Sequence, residues 1–259
     1  MPKIKTIQFL DISFKNREEF LNYINKNIIT FALKKYDLFL NHGCNAEHFH
    51  NNKKTDTKTK ILIHCLEIDN VLTLRAYTKK GIKTLDLWFL LFKNKNPKLC
   101  VNTIESTEQF KFKTTKQPVY YTSYNWSPYR DIVLKEDTFY ISNRKMRANA
   151  FQDKIKNSIT GSLAKELFNK KIKINELAYF DISSNYKSIL AYNTKALDKT
   201  GKPVKSNVFK VTFSVNVQLP SYFSVGQRVA YGLGVFMKDI SKKHHHEKTK
   251  INPKATKKE

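Results

Sequence analysis

Three histidines lie close together in the polar segment NHGCNAEHFHNN, residues 41–52: His42, His48 and His50. Because imidazole titrates near neutral pH, such a side chain can take a proton from a hydroxyl group or give one to a leaving oxygen. A fourth histidine, His64, lies in the apolar run ILIHCLEI, where we expect a packed side chain on a strand. The polar segment therefore favours either general acid–base catalysis or solvated polar side chains in a loop.

Zinc binding is an alternative use of the same segment. His42, Cys44, His48 and His50 all carry potential zinc ligands, but the spacing H-x-C-x3-H-x-H is not that of a standard zinc site. The chain has 3 cysteines and no CxxC spacing, so no second cysteine pair closes such a site. We therefore expect no metal ion and no other cofactor, and reduced thiols instead of disulfides.

Glycine is concentrated in the segment SVGQRVAYGLGVF, residues 224–236. Of the 7 glycines in the chain, Gly226, Gly232 and Gly234 lie within it, around Arg228. The spacing matches neither a P-loop nor a dinucleotide-binding fingerprint. One interpretation is a bulged hairpin whose glycines adopt positive φ. The other is a phosphate site, in which the missing Cβ atoms expose backbone N–H groups and Arg228 adds donors.

Charge is the strongest global feature of the sequence. Lys and Arg number 47 against 22 Asp and Glu, which gives a formal net charge of +25. A polyanion, above all a nucleic acid, is the partner that such an excess predicts. The longest apolar run, WFLLF, is far shorter than the ~20 residues that span a bilayer, and the N-terminal segment lacks the apolar core of a signal peptide. We expect a cytoplasmic protein that does not enter a membrane.

The first half of the sequence predicts a strand, a helix and further strands. Residues 4–14 are β-rich, and Asn16 can cap a helix whose apolar positions continue to about Leu40. After the polar segment, KILIHCLEIDNVLTLRAY predicts a hairpin that turns at Asp69-Asn70. The run TLDLWFLLF, residues 84–92, is predicted to be another strand. An extended aromatic segment follows, in which half of the rings are expected in the core and the others are candidates for stacking on bases: Tyr120, Tyr121, Tyr124 and Trp126.

Pro128 marks the predicted domain boundary, beyond which the pattern repeats. A helix is expected from residue 143 or 144 with an apolar stripe, and Arg144, Lys145 and Arg147 at its start are candidates for contacts with phosphates. Alternating strands and the glycine segment follow. Two β-α-β-β units in tandem predict an α+β fold of two ferredoxin-like, RRM-like domains with a C-terminal glycine-rich loop. The predicted domains are residues 1–128 and 129–239, followed by a basic tail at 240–259.

The string NVQLPSYFSVGQRVAYGLGVF, residues 216–236, resembles the C-terminal glycine-rich motif of the CRISPR-associated endoribonucleases that cut repeat RNA, the Cas-six family, in its subtype I-B branch. The segments YRDIVLKEDTFY and AFQDKIKNSITGSLAKEL resemble the entry to that branch's second domain. EHFHNN is similar to the family's FHNH segment, although Asn52 replaces its second histidine and the next strand lacks the family's Tyr-Pro. The resemblance covers nearly all of residues 4–238.

This resemblance implies a metal-independent endoribonuclease that produces guide RNAs. In such enzymes the ribose 2′-hydroxyl attacks the adjacent phosphate and leaves a 2′,3′-cyclic phosphate and a 5′-hydroxyl. His50 takes the position of the first FHNH histidine and is the expected general acid or base, with His48 and His42 as alternatives; Lys53 and Tyr36 are expected to assist. Contacts with RNA are expected from the glycine segment, the helix start and the loop: Gly226, Arg228, Gly232, Gly234, Arg144, Lys145, Arg147, Lys54 and Lys58.

The implied partners are CRISPR repeat RNA and, beyond it, a CRISPR effector complex, with the protein itself a monomer or a weak homodimer. Two other functions fit the same residues. One is a repeat-RNA-binding protein of the same fold that has lost catalysis, which the incomplete FHNH segment would mark. The other is a general basic nucleic-acid-binding protein.

Overall fold

The computed structural model describes residues 2–49, 60–127, 144–174, 177–182, 187–190, 205–226 and 233–239. Within them, 144–149, 187–190 and 205–207 are described by their backbone alone. Two antiparallel sheets with helices packed on them form the α+β architecture that the sequence predicts. No helix in these ranges combines the length and the apolar character that crossing a bilayer requires.

The first sheet has the strand order β2-β3-β1-β4, and its neighbouring strands are antiparallel. This is the order of the ferredoxin-like βαββαβ unit, in which each crossover carries a helix. The strands are β1 (Lys3–Ser13), β2 (Ile63–Ile68), β3 (Val71–Tyr77) and β4 (Thr103–Gln109).

The first crossover is the helix that the sequence predicts, with interruptions. Asn16 caps it, since its side chain accepts a hydrogen bond of 3.0 Å from the backbone N–H of Glu19. The helical turns widen in the middle and break at Lys35. The segments are α1 (Arg17–Tyr23), a π-helical stretch (Ile24–Ile29), α2 (Thr30–Lys34) and α3 (Tyr36–Asn41).

The second crossover is helix α4 (Thr78–Lys95). The prediction of a strand at residues 84–92 is therefore wrong, because this segment lies inside the helix. Leu85, Trp88, Phe89 and Phe92 recur three and four residues apart and are buried on one face. The rings of Trp88 and Phe92 stack at 4.6 Å, a contact that only helical spacing allows. A short apolar run is ambiguous between strand and helix, and only tertiary packing decides it.

The β2–β3 hairpin is confirmed at the predicted turn. Asp69 and Asn70 have φ values of 52° and 61°, as the two central residues of a type I′ turn require. His64 pairs with Arg75 across the hairpin and is buried, as its apolar neighbours indicate.

The second sheet has the order β6-β8-β5-β10-β9, with β7 paired to β8. Its strands are β5 (Lys113–Trp126), β6 (Tyr179–Ile182), β7 (Lys187–Leu190), β8 (Lys205–Gln218), β9 (Tyr222–Ser224) and β10 (Val235–Lys238). Without β7 and β9, this is again the ferredoxin-like order. The described residues between β8 and β10 contain the short strand β9 where a complete unit would have its second helix.

Helix α5 (Arg144–Asn157) continues as a π-helical stretch (Ser158–Leu167) and covers one face of this sheet. The predicted apolar stripe is confirmed, because all its members are buried: Phe151, Ile155, Ile159, Leu163 and Leu167.

Strand β5 belongs to the second sheet, although it precedes Pro128, the predicted domain boundary. Pro128 lies outside the described residues, whereas β5 pairs with β8 and β10 of the second sheet. The chain therefore passes from the first sheet to the second between Gln109 and Lys113.

The first sheet packs against the β9–β10 edge of the second. Arg75 on β3 is buried, and its guanidinium donates a hydrogen bond of 2.6 Å to the carbonyl oxygen of Tyr222 and also contacts the carboxylate of Glu108. Leu66 and Ile68 of β2 pack with Val235 of β10 in a small apolar cluster. An arginine thus satisfies the outward carbonyl of an edge strand while apolar side chains seal the contact.

Replacing Arg75 tests this contact. We expect Arg75→Met to lower the free energy of unfolding by about 1–3 kcal/mol, because the carbonyl of Tyr222 loses its donor while Glu108 is half exposed and regains water. Lys98→Met, at an exposed lysine, is the control and is expected to change the free energy by less than about 0.5 kcal/mol. If the two variants unfold at the same urea concentration, the hydrogen bond from Arg75 to Tyr222 does not stabilise the fold as proposed.

Candidate functional site

The histidine-bearing segment is fixed to the first domain as far as Phe49. The Asn45 side chain accepts the backbone N–H of Glu47 at 2.8 Å and starts a 3₁₀ turn (Ala46–His48). The backbone N–H of Leu62 donates to the carbonyl of His48 at 3.0 Å. Phe49 is fully buried, with its ring 5.7 Å from that of Trp88. The segment is therefore packed in the core up to Phe49, the last residue described before residue 60.

His48 faces the interior. Its side chain is 8% exposed, and its Nδ1 lies 3.0 Å from the hydroxyl of Thr84 on α4. Burial lowers the pKa of His48 to about 4; Lys80 acts in the same direction and Glu47 opposes it. The imidazole is therefore neutral at pH 7 and shielded from a polymer substrate, which favours a packing role.

Two of the other proposed catalytic residues, His42 and Tyr36, lie among the described residues. His42 is exposed, and its Nδ1 lies 2.8 Å from the carbonyl of Leu38 near the end of α3. Tyr36 begins α3, is half-buried and packs against the first core. The remaining loop residues of the prediction lie outside the described residues: His50, Lys53, Lys54 and Lys58.

A lysine cluster at the start of α4 lies beside this segment, and the sequence interpretation missed it. Lys79, Lys80 and Lys83 are exposed on the first two turns of the helix. The Nζ of Lys83 lies 3.3 Å from the position that a Cβ on Gly43 would occupy. A helix start is itself positively polarised, so the cluster adds to a field that attracts phosphate groups. The sequence interpretation missed the cluster because it did not recognise α4, whose short apolar run fits a strand as well as a helix.

Strands β9 and β10 pair antiparallel, and the described residues of the glycine segment, 224–226 and 233–236, lie at the end of this pair, here called the glycine hairpin. Gly226 has φ 113° and Gly234 has φ 65°, in the region that favours glycine. A Cβ on Gly234 would clash with the carbonyl oxygen of Val225, and one on Gly226 would lie 2.6 Å from that of Ser127. The backbone therefore requires glycine at both of these positions. Gly232 and Arg228 lie outside the described residues.

Asn125 on β5 anchors the root of this hairpin. Its carbonyl accepts the backbone N–H of Gly234 at 3.0 Å, and its side-chain oxygen accepts that of Val235 at 3.2 Å. Trp126 lies beneath, with its indole nitrogen 3.0 Å from the Cβ position of Gly226. Two hydrogen bonds therefore hold the root of the hairpin to β5.

Strand β2 connects the two parts of the candidate site. Leu62, just before it, bonds to His48, while Leu66 and Ile68 further along contact Val235 beside the glycine hairpin. Four to six residues of strand, at ~3.3 Å per residue, separate these contacts by about 13–20 Å. The histidine-bearing segment and the glycine hairpin thus contact the same strand, one at its start and the other further along it.

The described part of the chain offers no metal centre, since no three His, Cys, Asp or Glu side chains converge there. For Arg144, Lys145 and Arg147 the structure gives the helical backbone of α5 and not the side chains.

Comparison with solved structures finds proteins of the same fold over almost the whole chain. A crystal structure of Cas6b aligns with a TM-score of 0.64 at 17% identity, covering 92% of this chain and 99% of that one. A CRISPR RNA processing endoribonuclease Cas6b aligns at 0.58 and 17%, covering 92% and 100%. Csf5, a CRISPR-Cas type IV Cas6 crRNA endonuclease, aligns at 0.55 and 9%, covering 92% and 99%. The predicted tandem ferredoxin-like fold is confirmed.

Neither the protein-family models nor the curated proteins gave a match to this sequence. At identities of 17% and below, the structural likeness shows a shared fold.

The buried imidazole of His48 predicts a pH-dependent stability. Its pKa in the folded protein, about 4, is below the ordinary 6.5, so the unfolded chain binds more protons between these values. Its contribution to the free energy of unfolding is complete above about pH 6.5 and is lost as pH falls towards 4, by up to about 3 kcal/mol. His48→Gln should flatten this decline in urea titrations, and an unchanged slope would contradict the burial of a neutral imidazole.

Replacing glycine by alanine should have different effects on stability at Gly234, in the glycine hairpin, and at Gly161, outside it. Gly234→Ala should cost about 2–4 kcal/mol of stability, because the new Cβ meets the Val225 carbonyl and φ is positive. Gly161→Ala, on the π-helical stretch after α5, meets nothing within 4 Å and should be neutral or stabilise by about 0.5–1 kcal/mol. Thermal or urea unfolding measures both, and similar effects would refute the steric argument.

Proposed function

We propose that this chain is a metal-independent endoribonuclease that processes CRISPR repeat RNA. The observation that carries the proposal is the agreement in fold, over 92% of the chain, with three structures named as Cas6 proteins, two of them explicitly as RNA-cutting enzymes. The net charge of +25 supports a polyanionic substrate. The resemblance of the glycine segment and of EHFHNN to the motifs of the same family supports it independently.

The proposed reaction is an internal transfer at phosphorus. A base removes the proton of a ribose 2′-hydroxyl, the 2′-oxygen bonds to the adjacent phosphorus, and the bond from phosphorus to the 5′-oxygen breaks. An acid gives a proton to the departing 5′-oxygen, so the products carry a 2′,3′-cyclic phosphate and a 5′-hydroxyl. Nearby cations and backbone N–H groups stabilise the extra negative charge on the phosphorane.

His50 is the proposed proton-transferring group. It follows Phe49, the last buried residue of the anchored segment, and it matches the first histidine of the family motif. The burial and low pKa of His48 argue against that alternative, and the ring contact of His42 with the Leu38 carbonyl occupies its Nδ1. Lys53 and Tyr36 are proposed to assist in charge stabilisation.

The proposed RNA path uses both basic and glycine-rich elements. Lys79, Lys80 and Lys83 are placed to hold phosphates beside the histidine-bearing segment. The glycine segment is proposed to contribute backbone N–H groups, at Gly226, Gly232 and Gly234, and the guanidinium of Arg228. The other basic residues proposed to contact RNA are Arg144, Lys145, Arg147, Lys54 and Lys58.

A repeat-RNA-binding protein without catalysis is the second candidate. Asn52 in place of the second motif histidine favours it, because a lone histidine would have to act with a different partner. Such a protein would bind the repeat tightly and release it uncut.

Incubation with the CRISPR repeat transcript of the source organism in EDTA tests the proposal. The wild type should cut the RNA at one position, and His50→Ala should cut at least about 100-fold more slowly with binding nearly unchanged. His42→Ala, at an exposed histidine of the same segment, is expected to retain activity. Loss of activity in EDTA, or full activity of His50→Ala, would contradict the proposed mechanism; binding without cutting by the wild type would establish the second candidate.

A further inference from the structure

One face of the second sheet carries α5. The opposite face, here called the open face, carries the exposed rings of Tyr124 and Tyr179 and the half-buried ring of Tyr120, while its small polar side chains Thr122, Thr212 and Ser214 are buried. Strand register places Tyr120 opposite Ser214 and Thr122 opposite Thr212, and the two threonine hydroxyls lie 3.0 Å apart. Tyr179 on β6 also pairs with Ser214, and its ring lies 5.8 Å from that of Tyr120. The alternate residues of β5 and β8 point into the core that α5 covers.

Tyr124 is the most exposed aromatic on this face. Its side chain is 62% exposed, whereas its strand neighbours Tyr121 and Trp126 are fully buried. The Nζ of Lys210 on β8 lies 5.1 Å from the centroid of the Tyr124 ring. Packing does not explain an aromatic ring left in water beside a cation. A ring that stacks on a base, with a cation for the adjacent phosphate, is a recurrent arrangement for binding unpaired nucleotides.

A cleft of about 560 Å³ opens beside Tyr124, where the first sheet meets the second. Met237 of β10 lines it from the second sheet. From the first domain it is lined by Lys15 and Asn16, at the start of α1, and by Asn70 in the β2–β3 turn. Its volume lies within the range of small-molecule sites, which accommodates one nucleobase. The walls offer amide groups for the edges of a base and an exposed lysine for a phosphate.

The acidic side chains of the cleft limit what can bind there. Glu67 is paired with Arg17 at 2.7 Å, so these two charges compensate each other. Asp69 also lines the cleft and repels phosphate, but its carboxylate can accept a hydrogen bond from a base amino group. The cleft therefore suits a base with its phosphates outside, near Lys15 and Lys210.

We infer that the open face binds a single-stranded segment of RNA, with one unpaired nucleobase stacked on Tyr124 and inserted into the cleft. The inference rests on the proposed function, because it assigns a binding position to the same RNA. Tyr120 lies four residues back along β5, about 13 Å away, and its ring contacts that of Tyr179 on β6, so these two rings continue the path. A duplex does not fit this site, since its bases are stacked inside the helix and do not reach a flat aromatic face.

Binding of a fluorescein-labelled, single-stranded RNA of ten nucleotides and mixed sequence, followed by anisotropy with the full chain, tests the inference. Tyr124→Ala should weaken binding about 5- to 100-fold, while Tyr124→Trp should stay within about twofold of the wild type because it keeps a stacking face. Tyr124→Ala should leave the salt dependence of binding unchanged. Lys210→Ala should reduce its slope by about 0.7–1, and Lys98→Ala, at an exposed lysine outside the open face, should not.

Unchanged affinity of Tyr124→Ala would overturn the inference, as would equal affinity of the wild type for a blunt duplex of the same length. Neither result touches cleavage of the repeat in EDTA, which tests the proposed function separately. A wild-type protein that binds no RNA of any form would contradict both the single-strand binding site and the proposed function.

Discussion

The contact between the first sheet and the β9–β10 edge is the constraint on which the rest of the structure depends. Arg75 reaches across it to the carbonyl of Tyr222, and Leu66 and Ile68 close it against Val235. Because Val235 adjoins Gly234, and β2 begins next to the residue that bonds to His48, this contact sets the distance between the glycine hairpin and the histidine-bearing segment. Relative motion of the two domains would change that distance directly.

Two of the glycines and several of the charged side chains have roles in the fold itself, and the remaining positive charge is available for binding. Gly226 and Gly234 are required because backbone carbonyls occupy the space of their Cβ atoms, whatever the hairpin binds. Several carboxylates are committed to ion pairs within the fold, such as Glu67 with Arg17 and Asp86 with Lys5. The positive excess, which includes the exposed lysines at the start of α4, is the part that a polyanion would neutralise.

Local signals in the sequence predicted local structure well. Asn16 as a cap, the Asp69-Asn70 turn and the apolar stripe of α5 all depend on residues near in sequence, and all are confirmed. The strand predicted at residues 84–92 was wrong because its short apolar run fits either secondary structure until Phe9 and its neighbours pack on it. The exposure of Tyr124 and the lysine cluster of α4 were not predictable either, because each depends on strand register or on that helix.

Mass spectrometry of the RNA ends after cleavage tests the central claim most directly, because the end groups report which oxygen attacked the phosphorus. The account predicts an upstream product that ends in a 2′,3′-cyclic phosphate and a downstream product that begins with a 5′-hydroxyl, both formed in EDTA. A 5′-phosphate and a 3′-hydroxyl would mean that water attacked instead, as in metal-dependent nucleases, and would contradict a mechanism based on His50.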